Sequence, residues 1–591
     1  MNVYDQRIQA LQERMKKLGL KAYIIPATDP HMSEYCASYY LAERLYFCSF
    51  KGSDGTLLVT QDKSYIYTDG RYWVEALKEL DGTSCELVYD GKPGVLTLEN
   101  YIKANDLYPV GLDTSLFSVA QLRKLNVDKE HKIYHVSFRN MVKDLPALPD
   151  KPIWRVAPNL LSTTRQERVK QILSYVFAHN AKCAVFTALD DIAYILGYRG
   201  NDIEATPVFY SYLYIEEDGK LHLFINRNKL PSYFSEEKDV VVHEYDDIIN
   251  FIDERRYEPT LIDPNKTNAH ISSHLLNKVY ATSPAYIYKA IKGPVEINNT
   301  IAVHELDGIA VLKLMKYIDD NIEHGNLDEY KCAQFIDHAR KENPLCYDVS
   351  FETIAACDSN AAMMHYAPTL EDHAKMTSSN QLLLVDSGGQ YYGGTTDITR
   401  TFILTQHPSK EVIHDYTLTL KAQIDLSRQI FIEKSTGHII DIAAREIMWR
   451  EGLDYKCGTG HGVGYMNCVH EGPIGFRYYD SPDRDDKAAL VPGHIITIEP
   501  GVYKAGKYGI RLENELLVVD AFTTDDGKFY KFKTITFCPY VRRAIDVSLL
   551  DDEELTWLNN YLSEVYLTLA KHIDDPDLLS YLKEQTEPIT R

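Results

Sequence analysis

Apolar positions recur at helical spacing near the start of the chain, at Ile8, Leu11, Met15 and Leu18, and predict a helix that ends at Gly19. The run Ala22-Tyr-Ile-Ile25 then predicts a strand closing on Asp29. The same order returns later in the chain. Val169, Ile172, Leu173 and Val176 mark a helix, and Ala184-Val-Phe186 marks a strand closing on Asp190-Asp191. Each unit runs on into paired strands, Gly55-Thr-Leu-Leu-Val59 with Tyr65-Ile-Tyr67 in the first and Tyr210-Ser-Tyr-Leu-Tyr214 with Leu221-His-Leu-Phe224 in the second. Glu217-Asp-Gly219 supplies the turn of the second hairpin. A repeated plan of this kind points to a duplicated α/β domain.

Proline-rich punctuation separates these units. Leu145-Pro-Ala-Leu-Pro-Asp-Lys-Pro152 marks one boundary, and Ala290-Ile-Lys-Gly-Pro-Val295 marks another, ahead of a long helix carrying Ala302, Leu306, Ile309, Leu312 and Met315. The expected domains are residues 1–150, 151–294 and 295–591. Helices and strands alternate to about Val519, and the tail, residues 540–591, reads as a helical extension through Leu555, Leu558, Tyr561, Leu562 and Tyr566. That tail is either a surface-packed or a dimer-forming end.

A chain of 591 residues exceeds what one core sustains, which agrees with several domains. The formal charge of −22 argues against a phosphate-backbone partner, so no nucleic acid is expected. No apolar run reaches the length of a membrane span, and no basic segment followed by an apolar stretch opens the chain. The ten cysteines are scattered without a Cys-x-x-Cys pair, and reduced thiols in a cytoplasmic protein are the simplest account.

Candidate chemistry gathers in the last domain. Asp386 ends the apolar run Leu382-Leu-Leu-Val385 and precedes the turn Ser387-Gly-Gly389. Asp397 follows Gly393-Gly394 and begins an alternating strand, so two antiparallel strands can bring both aspartates to one side of a sheet. His461 lies within Gly458-Thr-Gly-His-Gly-Val-Gly464, whose glycine spacing fits no phosphate loop. Glu499 ends His494-Ile-Ile-Thr-Ile498. Glu513 stands in a stretch, residues 509–518, whose alternation places Arg511, Glu513 and Glu515 on one face. Each aspartate alone reads as a turn cap and the histidine alone as a structural residue. Together, four carboxylates and one imidazole are too many charges to bury without cations. They are the ligand mixture that suits two hard or borderline divalent metals.

The motifs Asp386-Ser-Gly-Gly, Thr395-Thr-Asp-Ile-Thr-Arg-Thr, Gly458-Thr-Gly-His-Gly-Val-Gly, Thr497-Ile-Glu-Pro-Gly and Gly509-Ile-Arg-Leu-Glu-Asn-Glu resemble those of the pita-bread metallopeptidases. Thr68-Asp-Gly-Arg-Tyr, Ala188-Leu-Asp-Asp-Ile-Ala-Tyr and Arg199-Gly-Asn-Asp extend the likeness to the three-domain, cytosolic type of the Xaa-Pro aminopeptidase family. The resemblance implies an α/β (α+β) architecture, two creatinase-N-terminal-like domains followed by a pita-bread catalytic domain. It implies hydrolysis of the N-terminal Xaa-Pro bond of peptides, through a hydroxide shared by two metal ions. Those ions are two Mn2+, with Zn2+ or Co2+ as alternatives. Asp386 and Asp397 would bind one ion, Asp397 and Glu513 would bridge to the other, and His461 and Glu499 would complete that second ion's ligand set. Glu499 would also take the proton from the nucleophilic water. His365, in Met364-His-Tyr-Ala-Pro368, and His470 would orient the substrate and stabilise the oxyanion. Arg511 would orient Asp386, and Tyr503 would line the pocket. The implied partners are peptides with proline second and a second copy in a homodimer, with no membrane. Three rival readings are a dipeptide-specific prolidase, a methionine aminopeptidase and a catalytically dead peptide-binding module. The two preceding domains argue against the first two, and the filled ligand positions argue against the third. Asp54 and residues 28–34 depart from the usual form of relatives.

Overall fold

The computed structural model describes residues 2–125, 132–479 and 486–591. The chain divides into two compact units, one of Met1–Val156 with Thr163–Ile287 and one of Ala157–Ser162 with Tyr288–Arg591.

The first unit contains two six-stranded sheets of identical topology. In one, the strand Ala22–Ile25 pairs antiparallel with Thr56–Thr60, which continues through Ser64–Thr68 to the parallel edge strand Cys85–Tyr89. On its other side lie the parallel strands Val110–Leu112 and Ile133–His135. The second sheet repeats every step with Cys183–Phe186 in the central place, Ser211–Ile215 and Leu221–Ile225 as the hairpin, and Val240–His243, Thr260–Ile262 and Lys278–Tyr280 in the parallel places. The duplication read from periodicity is thus a duplication of strand order. Gly219 takes a positive φ of 89° in the second hairpin turn, as the Asp-Gly signal predicts.

One predicted apolar position is misplaced. The helix Val3–Lys17 buries Ile8, Leu11 and Met15, but Leu18 is its C-cap and is exposed. The helix Arg165–Ala178 buries all four of its predicted positions beneath a Thr164/Glu167 capping box. Residues 28–34 lie where the two sheets of this unit meet. His31 Nδ1 donates to the Thr187 carbonyl at 2.7 Å, and Nε2 lies 2.7 Å from the Tyr245 hydroxyl. Asp29 accepts from the Tyr210 hydroxyl at 3.0 Å.

In the second unit, a three-stranded sheet holds Leu382–Ser387 between Ile354–Cys357 and Ile398–Ile403. A six-stranded sheet runs in the order Ile430–Ile432, Gly527–Thr534, Asn514–Thr524, Ile495–Ile498, Gly460–Gly462 and Glu471–Phe476. The helices Pro294–Asn321, Glu329–Lys341 and Lys410–Ser427 pack around the strands with a continuous apolar core. The predicted tail forms the helices Asp552–Leu569 and Pro576–Gln585, and it belongs to that core. Leu558, Leu562, Val565 and Leu569 are buried, and the Tyr561 hydroxyl bonds to the backbone at Thr536 and Cys538.

Two local expectations change. The strands bearing the aspartates pair antiparallel, with Asp386 opposite Thr399, but no simple turn joins them. A small hairpin, Gly389–Tyr391 with Gly394–Thr395, intervenes. Residues 509–518 are not one alternating strand either. Tyr508–Arg511 pairs with Gly501–Lys504, Asn514–Thr524 pairs with Ile495–Ile498, and Glu513 stands in the break between them. The break lets the Glu513 N–H donate across to the Thr399 carbonyl at 3.1 Å, so the chain changes sheets at the carboxylate.

Candidate metal centre

Each candidate ligand is presented by a rigid backbone position. Asp386 is near the end of the central strand of the three-stranded sheet, and Asp397 immediately precedes the neighbouring strand. His461 is the middle residue of Gly460–Gly462. A Cβ on Gly460 would lie 1.9 Å from the Thr497 carbonyl, so glycine there allows the histidine strand to press against the strand that ends before Glu499. The Glu499 N–H donates to the Thr459 carbonyl at 2.7 Å, which fixes that carboxylate beside His461.

The structure brings the five together. One donor atom each from Asp397, His461 and Glu513 lie within 4.8 Å of one another. His461 Nε2 is 3.5 Å from Asp397 Oδ2 and 3.5 Å from Glu499 Oε1. Its Nδ1 is 3.0 Å from the Gly462 carbonyl. A carbonyl oxygen only accepts, so Nδ1 donates there and Nε2 is the ring nitrogen turned toward the carboxylates, the orientation a metal-binding imidazole needs. Asp386 joins through Arg511, whose Nη2 donates to its Oδ2 at 2.5 Å.

The electrostatics favour added positive charge. Asp397 and Glu513 are buried, and desolvation together with the neighbouring carboxylates pushes both well above the usual carboxylate range. Burial pushes Glu499 up as well, opposed by His461 and Arg511. Asp386 Oδ1 and Glu513 Oε1 are buried oxygens without a hydrogen-bond partner. Unsatisfied buried carboxylate oxygens are costly unless a cation completes them, and oxygen-rich donors with one imidazole suit divalent metals. The residues therefore fit a metal centre.

Arg511 makes three further contacts. Besides Asp386 it donates from Nη1 to the Tyr503 hydroxyl at 2.9 Å, from Nε to Thr399 Oγ1 at 3.1 Å, and from Nη2 to the Met364 carbonyl at 3.5 Å. That last contact ties the segment carrying half-buried His365 to the carboxylate cluster. The His470 ring stands edge-on to His461 with centroids 4.3 Å apart. Cys457 and Cys468 flank this histidine segment, and none of the ten cysteines forms a disulfide.

Sequence reasoning missed a supporting layer. Glu515 accepts the Asp397 N–H at 2.8 Å and faces His304 Nε2 at 3.1 Å. Thr399 Oγ1 donates to Glu513 at 2.8 Å. Arg400, buried, binds the carbonyls of Thr399 and Glu513 at 3.0 and 2.6 Å and so pins the junction between the two sheets. Glu515 carries a signal, a carboxylate inside an apolar run, but nothing in the sequence marks His304 in its helix.

Comparison with known proteins completes the picture. Residues 298–520 match the model of metallopeptidase family M24, and 528–589 match the C-terminal region of peptidase M24. Residues 7–141 and 144–296 each match a creatinase/prolidase N-terminal domain. Xaa-Pro aminopeptidase 2 of Rattus norvegicus is 34% identical, over 99% of this chain and 89% of that protein. Xaa-Pro aminopeptidase 1 of Dictyostelium discoideum is 31% identical, over 99% of this chain and 96% of that protein. The X-prolyl aminopeptidase of Caenorhabditis elegans, described as a cytosolic enzyme with a di-nuclear active site, superposes with a TM-score of 0.92 at 30% identity and 99% coverage of both chains. The chain thus belongs to the Xaa-Pro aminopeptidases of metallopeptidase family M24, with creatinase-type N-terminal domains ahead of a pita-bread domain.

Proposed function

We propose that this chain is an aminopeptidase that removes the first residue from peptides with proline second, using a centre of two divalent ions. The observation that carries the reading is the buried cluster of Asp397, His461 and Glu513 with donor atoms within 4.8 Å, backed by partnerless oxygens on Asp386 and Glu513. Asp386 and Asp397 would hold one ion, His461 and Glu499 would hold the other, and Asp397 and Glu513 would serve both. Two such ions, Mn2+ in this reading with Zn2+ or Co2+ as alternatives, supply Lewis acidity and a water nucleophile near neutral pH.

The chain's own residues do the rest. Glu499 is more open than either aspartate, its side chain 20% exposed against 5% for Asp397 and 12% for Asp386. It is therefore the group placed to receive a proton from water on the open side. His365 and His470 present ring N–H groups to the peptide carbonyl and to the oxyanion that develops from it. Burial keeps the Tyr503 phenol protonated, and since its oxygen accepts from Arg511, its proton is available to substrate. An Xaa-Pro bond lacks the N–H of an ordinary peptide, so a site that recognises it must grip the ring and the free amine.

The reading divides the chain at 1–150, 151–294 and 295–591, supported by the spans of the matched family models. It takes the active species as a homodimer. A cytosolic setting follows the description of the Caenorhabditis elegans enzyme, and among the described residues no helix is long and apolar enough to cross a membrane. A prolidase shares such a centre, but likeness to aminopeptidases over the full length supports the longer substrate. The test is a panel of peptides with metal-loaded protein. Xaa-Pro-Yaa should lose its first residue while Xaa-Ala-Yaa stays intact. Cleavage confined to Xaa-Pro dipeptides would replace the aminopeptidase with a prolidase.

A further inference from the structure

Glu329 is a carboxylate that the sequence gives no reason to notice. It opens the helix Glu329–Lys341, far in sequence from every candidate ligand, yet its side chain has no exposure to solvent. Its two oxygens accept from four groups. Oε1 takes the Cys357 N–H at 2.6 Å, and Oε2 takes the Ala374 N–H at 2.6 Å and the Tyr366 hydroxyl at 2.8 Å. Asn360 Nδ2 reaches both oxygens, at 2.9 and 3.2 Å. The backbone adds another tie, the Glu329 N–H donating to the Ala374 carbonyl at 3.1 Å.

All four partners lie on one segment, residues 357–374, and that segment carries His365. Apart from the short turn Asp358–Ala362, it has no regular structure between the strands Ile354–Cys357 and Lys375–Met376. A loop of this length would ordinarily be held by its own contacts and by solvent. Here a buried carboxylate gathers its two ends and the residue next to His365 onto one point. The opposite side is fixed as well. A Cβ on Gly509 would lie 1.8 Å from the Ala361 carbonyl, and Arg511 donates to the Met364 carbonyl. His365 therefore sits on a loop clamped between Glu329 and the strand that leads to the carboxylate cluster.

We propose that Glu329 is a positioning residue for the aminopeptidase reaction, holding His365 at the substrate through Tyr366 and the ends of residues 357–374. The inference rests on the assignment of His365 to substrate orientation. Four donor groups converging on the two oxygens of one buried side chain over-determine the loop. A displacement of about 1 Å at a group that orients substrate can cost on the order of 100-fold in rate.

The test is a double-mutant cycle on full-length, metal-loaded enzyme with an Xaa-Pro-Yaa tripeptide. Glu329→Gln alone should lower kcat/KM about 10- to 100-fold with the metal content unchanged. In a His365→Ala background the same substitution should cost no further activity, because the residue it positions is gone. Tyr366→Phe, which removes only the donor beside His365, is run through the same cycle and serves alone if Glu329→Gln does not fold. It should show the same pattern at smaller amplitude. Losses that multiply in the double variants would overturn the proposal, as would a loss matched by loss of metal, or full activity in the single variants. If His365→Ala itself keeps full kcat/KM, the assignment of His365 fails and the positioning role falls with it. If His365→Ala is impaired and the single variants are not, only the positioning role falls.

Discussion

Replacing Arg511 with lysine keeps the positive charge beside Asp386 and removes only the shape of the guanidinium. Arg511 uses Nη2 on Asp386 at 2.5 Å, Nη1 on Tyr503 at 2.9 Å and Nε on Thr399 at 3.1 Å, three directions at once. A lysine ammonium that stays on Asp386 gives up Tyr503 and Thr399, because its stem and single charged centre cannot reproduce the fork. Two buried hydrogen bonds at about 1 kcal/mol each put the stability loss near 2 kcal/mol. The metal-binding cost follows from orientation, since an ammonium no longer anchored on Tyr503 and Thr399 holds Asp386 less firmly. Partners of ligating groups are commonly worth about 10- to 100-fold in affinity, or roughly 1.4–2.8 kcal/mol. Titration of Arg511→Lys with Mn2+ against a competing chelator should show that loss, alongside lower turnover of an Xaa-Pro-Yaa peptide. Arg511→Met should be worse on both counts, since it also strands the Asp386 charge. Wild-type affinity and turnover in the lysine variant would refute the reasoning and leave Arg511 as a charge without a geometric role.

Three further outcomes are expected. Burial pushes the His31 imidazole down to about 4 from the usual 6.5, so between those values the unfolded state holds the extra proton and acid favours unfolding. Stability present above pH 6.5 should fall by about 3 kcal/mol as pH drops through 4, and denaturant titrations of His31→Asn should lack that slope. An unchanged slope would contradict the buried, neutral His31. Asp397, Glu513 and Glu499 are raised in the metal-free fold, so that fold binds protons more tightly than the unfolded chain and loses stability as pH rises through the folded values. Metal must then displace protons, and calorimetry in buffers of different ionisation enthalpy should give different apparent heats; identical heats would exclude proton release. Gly509→Ala puts a methyl group 1.8 Å from the Ala361 carbonyl, and backbone must move. It should cost about 1–3 kcal/mol and reduce turnover, with a wild-type melting curve and rate as the contrary result.

Much of this is legible in the sequence. Periodicity marked the helix and hairpin of both N-terminal units, because one face of each is buried and the pattern follows the face. The duplicated strand order was inferable, but not the three parallel strands that complete each sheet, Cys85–Tyr89 being only half-buried and weakly patterned. Leu18 was misread because a helix C-cap leaves the apolar face just where the spacing still matches. The five candidate ligands were visible because charges interrupt apolar runs beside glycines. Their supports were not. Glu329 opens an ordinary amphipathic helix, and His304 lies within a long one. Each meets its partner only through the tertiary fold, Glu329 at Tyr366 and His304 at Glu515.

The central claim is that Asp397 and its neighbours hold two ions that turnover requires. Metal content by elemental mass spectrometry, measured with Xaa-Pro-Yaa turnover on the same samples, tests it directly. Wild-type chain should carry two divalent ions and lose activity as they are stripped, and Asp397→Ala should lose both ions and turnover while its circular dichroism stays native. Two ions retained in Asp397→Ala, or full turnover in metal-free wild type, would contradict the account.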